Sequence, residues 1–188
     1  MADEWEDLAA RARTGDGDAM RALLESVRPH VMRRCARVLP FHQDAEDACQ
    51  EALLTIATKL GSYEGRGSFA GWSAAVATNA ARAAYRTMSR RFAETGTSDL
   101  PEHADPRTTS VVAGTRLDLL DALDRLERDH PAAARAFVLR DLAELSYADI
   151  AAQLDVPIGT VKARIHTARG HVRENLRPAG NLSRPPRI

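Results

Sequence analysis

The residues with the clearest chemical pattern lie between positions 61 and 90. Asn79, Arg82, Arg86 and Arg90 recur at spacings of three, four and four, which places them on one face of a helix. Guanidinium groups in such a row can hold successive phosphates, and an amide can read a base edge. The preceding loop "GSYEGRGS" has three glycines, which allow close backbone approach to a ligand. This pattern suits an unstacked base beside a phosphate-tracking helix, although an ordinary helix connection would also fit.

A second pattern lies in residues 146–173, "SYADIAAQLDVPIGTVKARIHTARGHVR". It predicts a helix-turn-helix: a short helix, a turn at 155–157 and a longer second helix. We expect the second helix to bury Val161, Ile165, Ala168 and Val172, whose spacings are four, three and four. The opposite face then combines hydrogen-bonding groups with cations, as major-groove reading requires. The alternative is a surface helix with a solvated cationic face. The outward residues are Lys162, Ala163, His166, Thr167 and Gly170, flanked by Arg164, Arg169 and Arg173.

Catalytic and metal-binding patterns are not found in the sequence. It contains no HExxH, GxGxxG, P-loop or nucleophile-elbow motif, and its acidic residues are scattered. Cys35 and Cys49 lack CxxC or Cys/His spacing and are expected to be buried thiols. His166 and His171 are five residues apart and do not share a helix face, so we expect no zinc site. No enzyme activity and no cofactor are expected.

Charge is balanced overall but unevenly distributed. The 188 residues include 26 basic and 26 acidic ones. Residues 61–91 carry a net charge of +4 and residues 132–188 another +4, whereas residues 1–60 and 92–131 carry −3 and −5. Two basic patches separated by acidic surface suit two nucleic-acid contacts and a further surface for a partner. We see no apolar run long enough for a membrane span and no signal sequence, so we expect a cytoplasmic protein.

The sequence predicts that the segments which position these residues are helices. Aromatic residues make up only 5% of the chain and alanine is abundant, which favours an all-α fold. Apolar periodicity and capping signals predict where each helix begins and ends. A segment rich in Pro, Gly, Ser, Thr and acids, residues 93–114, reads as a flexible linker, and the tail 178–188 as disordered. The predicted helices span residues 18–39, 43–60, 68–91, 116–129 and 131–143, followed by the two of the helix-turn-helix.

Two runs resemble the extracytoplasmic-function (ECF) sigma factors of the sigma-70 family. Residues 44–91, "DAEDACQEALLTIATKLGSYEGRGSFAGWSAAVATNAARAAYRTMSRR", are similar to region 2 of that family. Residues from Leu145, "LSYADIAAQLDVPIGTVKARIHTARGHVRENL", are similar to its region 4. The resemblance covers residues 5–177 and is specific because both motifs occur in the right order. It implies a region 2 domain at 1–92, an acidic linker at 93–114, a region 4 domain at 115–177 and a tail at 178–188.

The resemblance implies that region 2 docks on the clamp helices of the largest subunit of core RNA polymerase and recognises and melts the minus-ten promoter element. By motif position, the docking candidates are Asp44, Glu46, Asp47, Gln50 and Glu51. Equally, these acids can stabilise the first turn of their own helix. Asn79 and the loop 61–68 would capture a minus-ten base, and arginines would hold phosphates. The minus-ten candidates are Gly61, Ser62, Tyr63, Glu64, Gly65, Arg66, Gly67, Ser68, Asn79, Arg82, Arg86, Arg90 and, for phosphates alone, Arg91.

Region 4 in this family binds the minus-35 element and packs on the flap of the second-largest polymerase subunit. The linker would thread the polymerase cleft, and many members are held inactive by an anti-sigma factor, a further partner that the resemblance allows. Leu53 and Ala57 replace bulky aromatics, and Thr78 stands where an arginine is common. The minus-35 candidates are Thr160, Lys162, Ala163, Arg164, His166, Thr167 and Arg169.

The main alternative is a stand-alone helix-turn-helix regulator. Such proteins usually dimerise to bind two half-sites. No long unoccupied apolar stripe is apparent for a dimer interface, and this alternative leaves the region-2-like half unexplained.

Overall fold

The structure is a computed structural model that describes residues 2–95 and 109–176, with side chains at 3–91 and 118–176. These residues form eight α-helices and no strand, as the all-α prediction requires. A 3₁₀ turn, Leu60–Ser62, follows α3, and a π-helical turn, Val138–Leu142, follows α6. The helices are α1 (Ala2–Arg13), α2 (Gly17–Val38), α3 (His42–Lys59), α4 (Phe69–Thr95), α5 (Thr109–Asp129), α6 (Pro131–Phe137), α7 (Tyr147–Leu154) and α8 (Ile158–Asn175).

Helices α1 to α4 pack around the first core. Asp16 caps α2 by accepting from the backbone N–H groups of Asp18 and Ala19. The buried stripe of α2 repeats at intervals of four, and Pro29 lies in that helix without ending it. Because Pro29 is exposed, the lost hydrogen bond falls on the solvent side. The core includes Leu23, Val27, Val31, Cys35, Ile56 and Phe69, each fully buried.

Helices α5 to α8 form the second domain. Leu123 and Leu126 of α5 pack against Phe137, Val138 and Val172. Ser146 caps α7 by accepting from the N–H of Asp149, and Asp155 ends it in the left-handed conformation at φ 52°. The predicted turn between the two helices of the helix-turn-helix is thereby confirmed, since α8 starts three residues later.

Helix α4 belongs to both cores. Ala77, Ala81 and Tyr85 pack in the first domain. Ala74 and Ala75 pack with Leu139, Leu145, Ile150, Val161 and Ile165 of the second domain. Small side chains on that face let the second domain approach the α4 backbone closely, so α4 contributes to a separate core cluster on each side.

Several boundaries differ from the sequence predictions. Helix α1 was not predicted, yet Trp5, Ala9 and Ala12 bury one face of it against the first core. The predicted linker 93–114 is helical at both ends, because α4 continues to Thr95 and α5 begins at Thr109. The middle of that linker and the tail 178–188 lie outside the described residues.

Apolar spacing within the predicted helix 68–91 places Phe69, Trp72, Val76 and Ala80 or Ala83 on its inward face, and this prediction is partly wrong. Phe69 is buried, but Trp72, Val76 and Ala80 are only partly buried and Ala83 is exposed. The fully buried positions are shifted by one, at Ala77 and Ala81. The second domain covers a further face that the periodicity of one helix could not reveal.

Both cysteines are free and buried, as predicted. Burial raises the pKa of the Cys35 thiol to about 12, with Cys49 nearby, and burial also raises the pKa of Cys49. Such thiols stay protonated and are poor nucleophiles. The described residues contain no cluster of three or more potential metal-ligating side chains. None of the described helices is long and apolar enough to cross a membrane.

We predict that acidification destabilises the first domain through His30. Its ring packs edge-on at 5.4 Å from that of Trp5, and its buried Nε2 has no hydrogen-bond partner among the described residues. Burial, Arg34 and Arg33 lower the pKa of His30 below 6.5. The unfolded chain therefore takes up this proton first, and stability falls as the pH drops from about 6.5 through the lowered folded-state pKa.

The measurement is the urea midpoint as a function of pH for the wild type and His30→Leu. The wild-type midpoint should fall more steeply between about pH 7 and pH 5.5 than that of the variant. Parallel curves would contradict this role for His30.

Candidate nucleic-acid interface

The outer face of α8 is open to solvent. Val161, Ile165, Ala168 and Val172 are buried, which confirms the predicted inward stripe. Lys162, Ala163, His166 and Thr167 are exposed, and Thr160 and Arg164 are partly exposed. The predicted minus-35 residues are therefore brought together on one accessible face. In length and shape α8 suits a major groove, which admits a single α-helix.

Two contacts fix cations at the edges of this face. The Arg140 guanidinium lies 4.7 Å above the Tyr147 ring, and the Lys162 ammonium lies 5.9 Å from the same ring. Arg169 binds the Asp141 carboxylate through Nε at 3.0 Å and Nη2 at 2.5 Å. This hydrogen-bonded pairing raises the pKa of Arg169. Arg169 is thus engaged within the domain, whereas the face between Lys162 and Thr167 is free for a ligand.

The loop between α3 and α4 exposes Glu64, Gly65 and Arg66. Gly65 and Gly67 adopt φ values of +73° and +77°, where glycine is favoured. Ser68 caps α4 by accepting from the N–H of Gly71 at 3.1 Å, at the predicted start of the helix 68–91. The remaining loop positions differ in accessibility: Gly61 and Ser62 are exposed, and Gly67 and Ser68 are partly buried.

Tyr63 faces inward, although we predicted it as part of the ligand-contacting loop. Its side chain is 5% exposed and its hydroxyl lies 3.0 Å from both the Glu6 carboxylate and the Gly67 carbonyl. Burial and the hydrogen bond to Glu6 raise the pKa of Tyr63. In this structure Tyr63 mainly holds the loop and leaves only a small part of its side chain accessible to a ligand.

The polar row that we call the α4 stripe (Asn79, Arg82, Arg86, Arg90) runs along one side of α4, but it is not uniformly accessible. Asn79 and Arg90 are exposed, and Arg90 donates from Nε to the carbonyl of Arg86 at 3.3 Å. Arg82 is only 5% exposed. Spacing alone could not distinguish an exposed cation from one covered by another domain.

The partner of the α4 stripe is the acidic face of α5, formed by Asp121, Asp124 and Glu127. Arg82 Nη2 lies 2.6 Å from Glu127 and 3.6 Å from Asp124, and Arg86 Nη1 lies 3.1 Å from Glu127. The Tyr85 hydroxyl donates to Asp121 at 2.7 Å. Carboxylates thus satisfy Arg82 and Arg86, two of the cations that we predicted to hold phosphates.

The electrostatics support a close contact. Burial acts to raise the pKa of Glu127, but hydrogen bonds and charge from Arg82 and Arg86 outweigh it and hold this pKa below its usual value. Burial and the hydrogen bond to Asp121 raise the pKa of Tyr85. At neutral pH Glu127 therefore stays ionised, as its contacts with Arg82 and Arg86 require. Tyr85 stays protonated, as its hydrogen bond to Asp121 requires.

A cavity of about 660 Å³ separates the two domains beside Asn79. The exposed loop, α4 and α6 line it, with Trp72 and Leu139 among its apolar walls and Arg135 among its polar ones. Asn79 and the loop 61–68 therefore do converge on one space, as predicted. In this arrangement the second domain forms the opposite wall.

Further interdomain contacts lie at both ends of the shared surface. Glu144, in the left-handed conformation at φ 58°, binds Arg34 at 2.6 Å and also pairs with Arg37. The Ser68 N–H lies 3.4 Å from the Asp149 carboxylate, beside the α4 N-terminus. The second domain therefore contacts α2, the loop and α4 together.

The predicted docking residues lie on a different surface, along α3. Glu46, Asp47, Gln50 and Glu51 are exposed, and Leu54 beside them is 58% exposed. Asp44 is partly buried, and burial together with the Asp47 charge raises its pKa. This surface carries an apolar centre with an acidic rim and is not covered by the second domain.

Two sets of acidic residues were not predicted from the sequence. Asp121, Asp124 and Glu127 of α5 contact the α4 stripe or Tyr85 beside it, and Glu6 of α1 contacts the loop 61–68 and Phe69. The net charge of −5 over residues 92–131 was the available signal, but we assigned it to the linker. The three-residue spacing of Asp121, Asp124 and Glu127 would have placed them on one helix face. Glu6 gave no signal, because its contacts are more than 50 residues away in sequence.

Comparison with protein families supports both halves of the fold. The family described as Sigma-70 region 2 matches residues 23–91. The family described as Sigma-70, region 4 matches residues 116–172. The two matches fall on the first domain and on the helices α5 to α8, respectively.

Similar proteins extend along almost the whole chain. The ECF RNA polymerase sigma factor SigE of Mycolicibacterium smegmatis is 35% identical over 185 residues, covering 93% of this chain and 69% of that protein. The ECF RNA polymerase sigma-E factor of Escherichia coli K12 is 28% identical over 184 residues, covering 91% and 93%. The structure of CnrH in complex with the cytosolic domain of CnrY shares the fold, with a TM-score of 0.53, 18% identity and coverage of 93% and 96%.

We predict that reversing one charge at the interface opens the molecule. Glu127→Lys places a cation beside Arg82 and Arg86 and leaves the buried Arg82 without its nearest partner, so the closed form should lose about 2 kcal/mol or more. The radius of gyration from small-angle X-ray scattering should increase. Glu174→Lys, at an exposed position of α8, makes the same change of charge and should leave the radius unaltered. Equal radii for both variants and the wild type would contradict the role of Glu127.

Proposed function

The chain belongs to the ECF RNA polymerase sigma factors, and from this premise we propose which surface performs each step of promoter recognition. It binds core RNA polymerase and directs promoter-specific transcription initiation, and its partners are the polymerase and promoter DNA. The polymerase performs the chemistry, so this chain needs no catalytic residue or cofactor. We place its activity in the cytoplasm, where polymerase and chromosome meet.

The minus-35 element binds to the outer face of α8. The exposed face from Lys162 to Thr167 carries this proposal, because it combines cations for phosphates with small and hydrogen-bonding side chains for base edges. Thr160 lies near the helix start, the part that reaches deepest in helix-turn-helix complexes. Arg169 contributes to register by holding Asp141, and can reach a phosphate only by leaving that carboxylate.

The minus-ten element binds to the loop 61–68, Asn79 and the α4 stripe. Asn79 and the loop face a common space large enough for an extruded base. Arg82 and Arg86 hold the backbone once they exchange Glu127 for phosphate, and Arg90 and Arg91 extend the row. The two domains must therefore separate before the minus-ten element can bind.

The exposed surface of α3 docks on the clamp helices of the polymerase. Leu54 supplies an apolar anchor, and Glu46, Asp47, Gln50 and Glu51 supply the polar rim that protein interfaces commonly have. Because this surface is open in the closed form, docking does not require prior separation of the domains. The second domain then binds the flap through surface outside the α8 face.

The decisive test of function is runoff transcription by purified core polymerase on a pool of genomic promoter fragments, with and without this chain. A sigma factor produces discrete new start sites. A stand-alone regulator, the competing function, would instead retard particular fragments without polymerase and give no new start sites with it.

On a promoter found by that assay, we predict that Lys162→Ala and Arg164→Ala each weaken binding of the polymerase complex to promoter DNA by about 1 kcal/mol. Each substitution removes one cation from the DNA face. Affinity for core polymerase in a pull-down should be unchanged. Glu174→Ala, on the same helix but bearing no cation, serves as the control and should not weaken promoter binding. A loss of polymerase affinity in the two cation variants would contradict their assignment to DNA.

A further inference from the structure

We propose that Glu6 is a positioning residue for the minus-ten loop: its carboxylate holds both ends of the loop in the geometry that selects a base. The inference rests on the proposed role of residues 61–68. It adds a residue from α1, far from the promoter-contacting motifs in sequence, to the machinery of base selection.

The two oxygens of Glu6 bind opposite ends of the loop. Oε1 accepts from the backbone N–H of Phe69 at 2.5 Å, and Oε2 lies 3.0 Å from the hydroxyl of Tyr63. Phe69 is the first residue of α4, whose unpaired N–H groups and positive dipole end favour a carboxylate. One side chain therefore connects Tyr63, the third residue of the loop, to Phe69, the residue that follows the loop.

The Tyr63 hydroxyl extends this connection into the loop. It also lies 3.0 Å from the Gly67 carbonyl, so its single hydrogen is shared between two acceptors. The ring itself is fixed, because it packs at 5.6 Å from Phe69 and 5.5 Å from Trp72. Between these fixed points the tip, Glu64 to Arg66, is exposed, and Arg66 lies 2.8 Å from Glu64 and 3.9 Å from Asp155.

A second carboxylate near the α4 N-terminus cannot replace Glu6 in the promoter complex. Asp149 lies 3.4 Å from the Ser68 N–H, but it belongs to α7 of the second domain. When the domains separate, Asp149 leaves with α7. Glu6 belongs to the first domain and remains in place, so it is the acceptor that persists while a base is bound.

A purely structural role for Glu6 makes a different prediction from a positioning role. A structural cap lost from the domain would lower stability, polymerase affinity and transcription from every promoter alike. A positioning residue instead affects the choice between bases, because a misplaced loop loses contacts that only the correct base makes. The ratio of transcription between matched and mismatched minus-ten elements is therefore the informative quantity.

The experiment compares variants of the full chain, reconstituted with core polymerase, on a promoter found by runoff transcription and on its single-base minus-ten variants. Glu6→Ala should lower the ratio of matched to mismatched open-complex formation about tenfold, the effect of losing hydrogen bonds to a charged group. Tyr63→Phe should lower it in the same direction. Pull-down affinity for core polymerase and the dependence on the minus-35 element should stay unchanged.

Two further variants keep the test specific. Glu6→Gln should restore most of the ratio, since its carbonyl can accept from Phe69 and its amide can donate to Tyr63, whose hydroxyl then donates to Gly67. Asp7→Ala is the matched control: its side chain is 71% exposed, and its ion pair with Arg11 is long at 3.9 Å. It should leave the ratio at the wild-type value.

The outcomes separate this inference from the function it rests on. If Asn79→Ala lowers the ratio but Glu6→Ala does not, the role of Glu6 is wrong and the minus-ten site stands. If neither Asn79→Ala nor Arg66→Ala changes the ratio, the proposed site itself is wrong. A uniform loss with Glu6→Ala on all promoters, together with lower polymerase affinity, would overturn the positioning role.

Discussion

The burial of α4 on two sides is the constraint on which the rest of the structure depends. Ala77 and Ala81 face the first core, while Ala74 and Ala75 face the second domain. A helix placed in this way cannot keep its polar side fully open. Arg82 is consequently buried, and because an unpaired buried guanidinium would be costly, the acids of α5 must accompany the apolar contact.

This constraint divides the surfaces of the molecule by accessibility. The outer face of α8 and the proposed docking surface on α3 are open, whereas Arg82 of the α4 stripe is buried and the second domain forms one wall of the space beside Asn79. Carboxylates on α5 pair with Arg82 and Arg86 of the stripe, so under the proposed minus-ten assignment DNA and the second domain would compete for these cations. In the proposed function, polymerase engages the open α3 surface first, and separation of the domains then exposes the minus-ten site.

The sequence was informative where function and periodicity coincide within one segment. The buried stripe of α8, the turn at Asp155 and the cap at Ser68 follow from local spacing and capping chemistry. The interdomain partners did not, since Arg82 and Glu127 are 45 residues apart and come together only through tertiary packing. The hydrogen bond between Glu6 and Tyr63 was not predicted for the same reason, because it depends on a contact between α1 and a loop that is distant in sequence.

The most direct test of the account is photo-crosslinking from Asn79, replaced by p-benzoylphenylalanine, in the free chain and in the open promoter complex. We expect intramolecular crosslinks near Arg135 of α6 and Leu139 of the following π-helical turn in the free chain, because these residues line the same cavity as Asn79. In the open complex the crosslink should move to the displaced strand of the minus-ten element. Persistence of the intramolecular crosslink in a transcribing complex would contradict it.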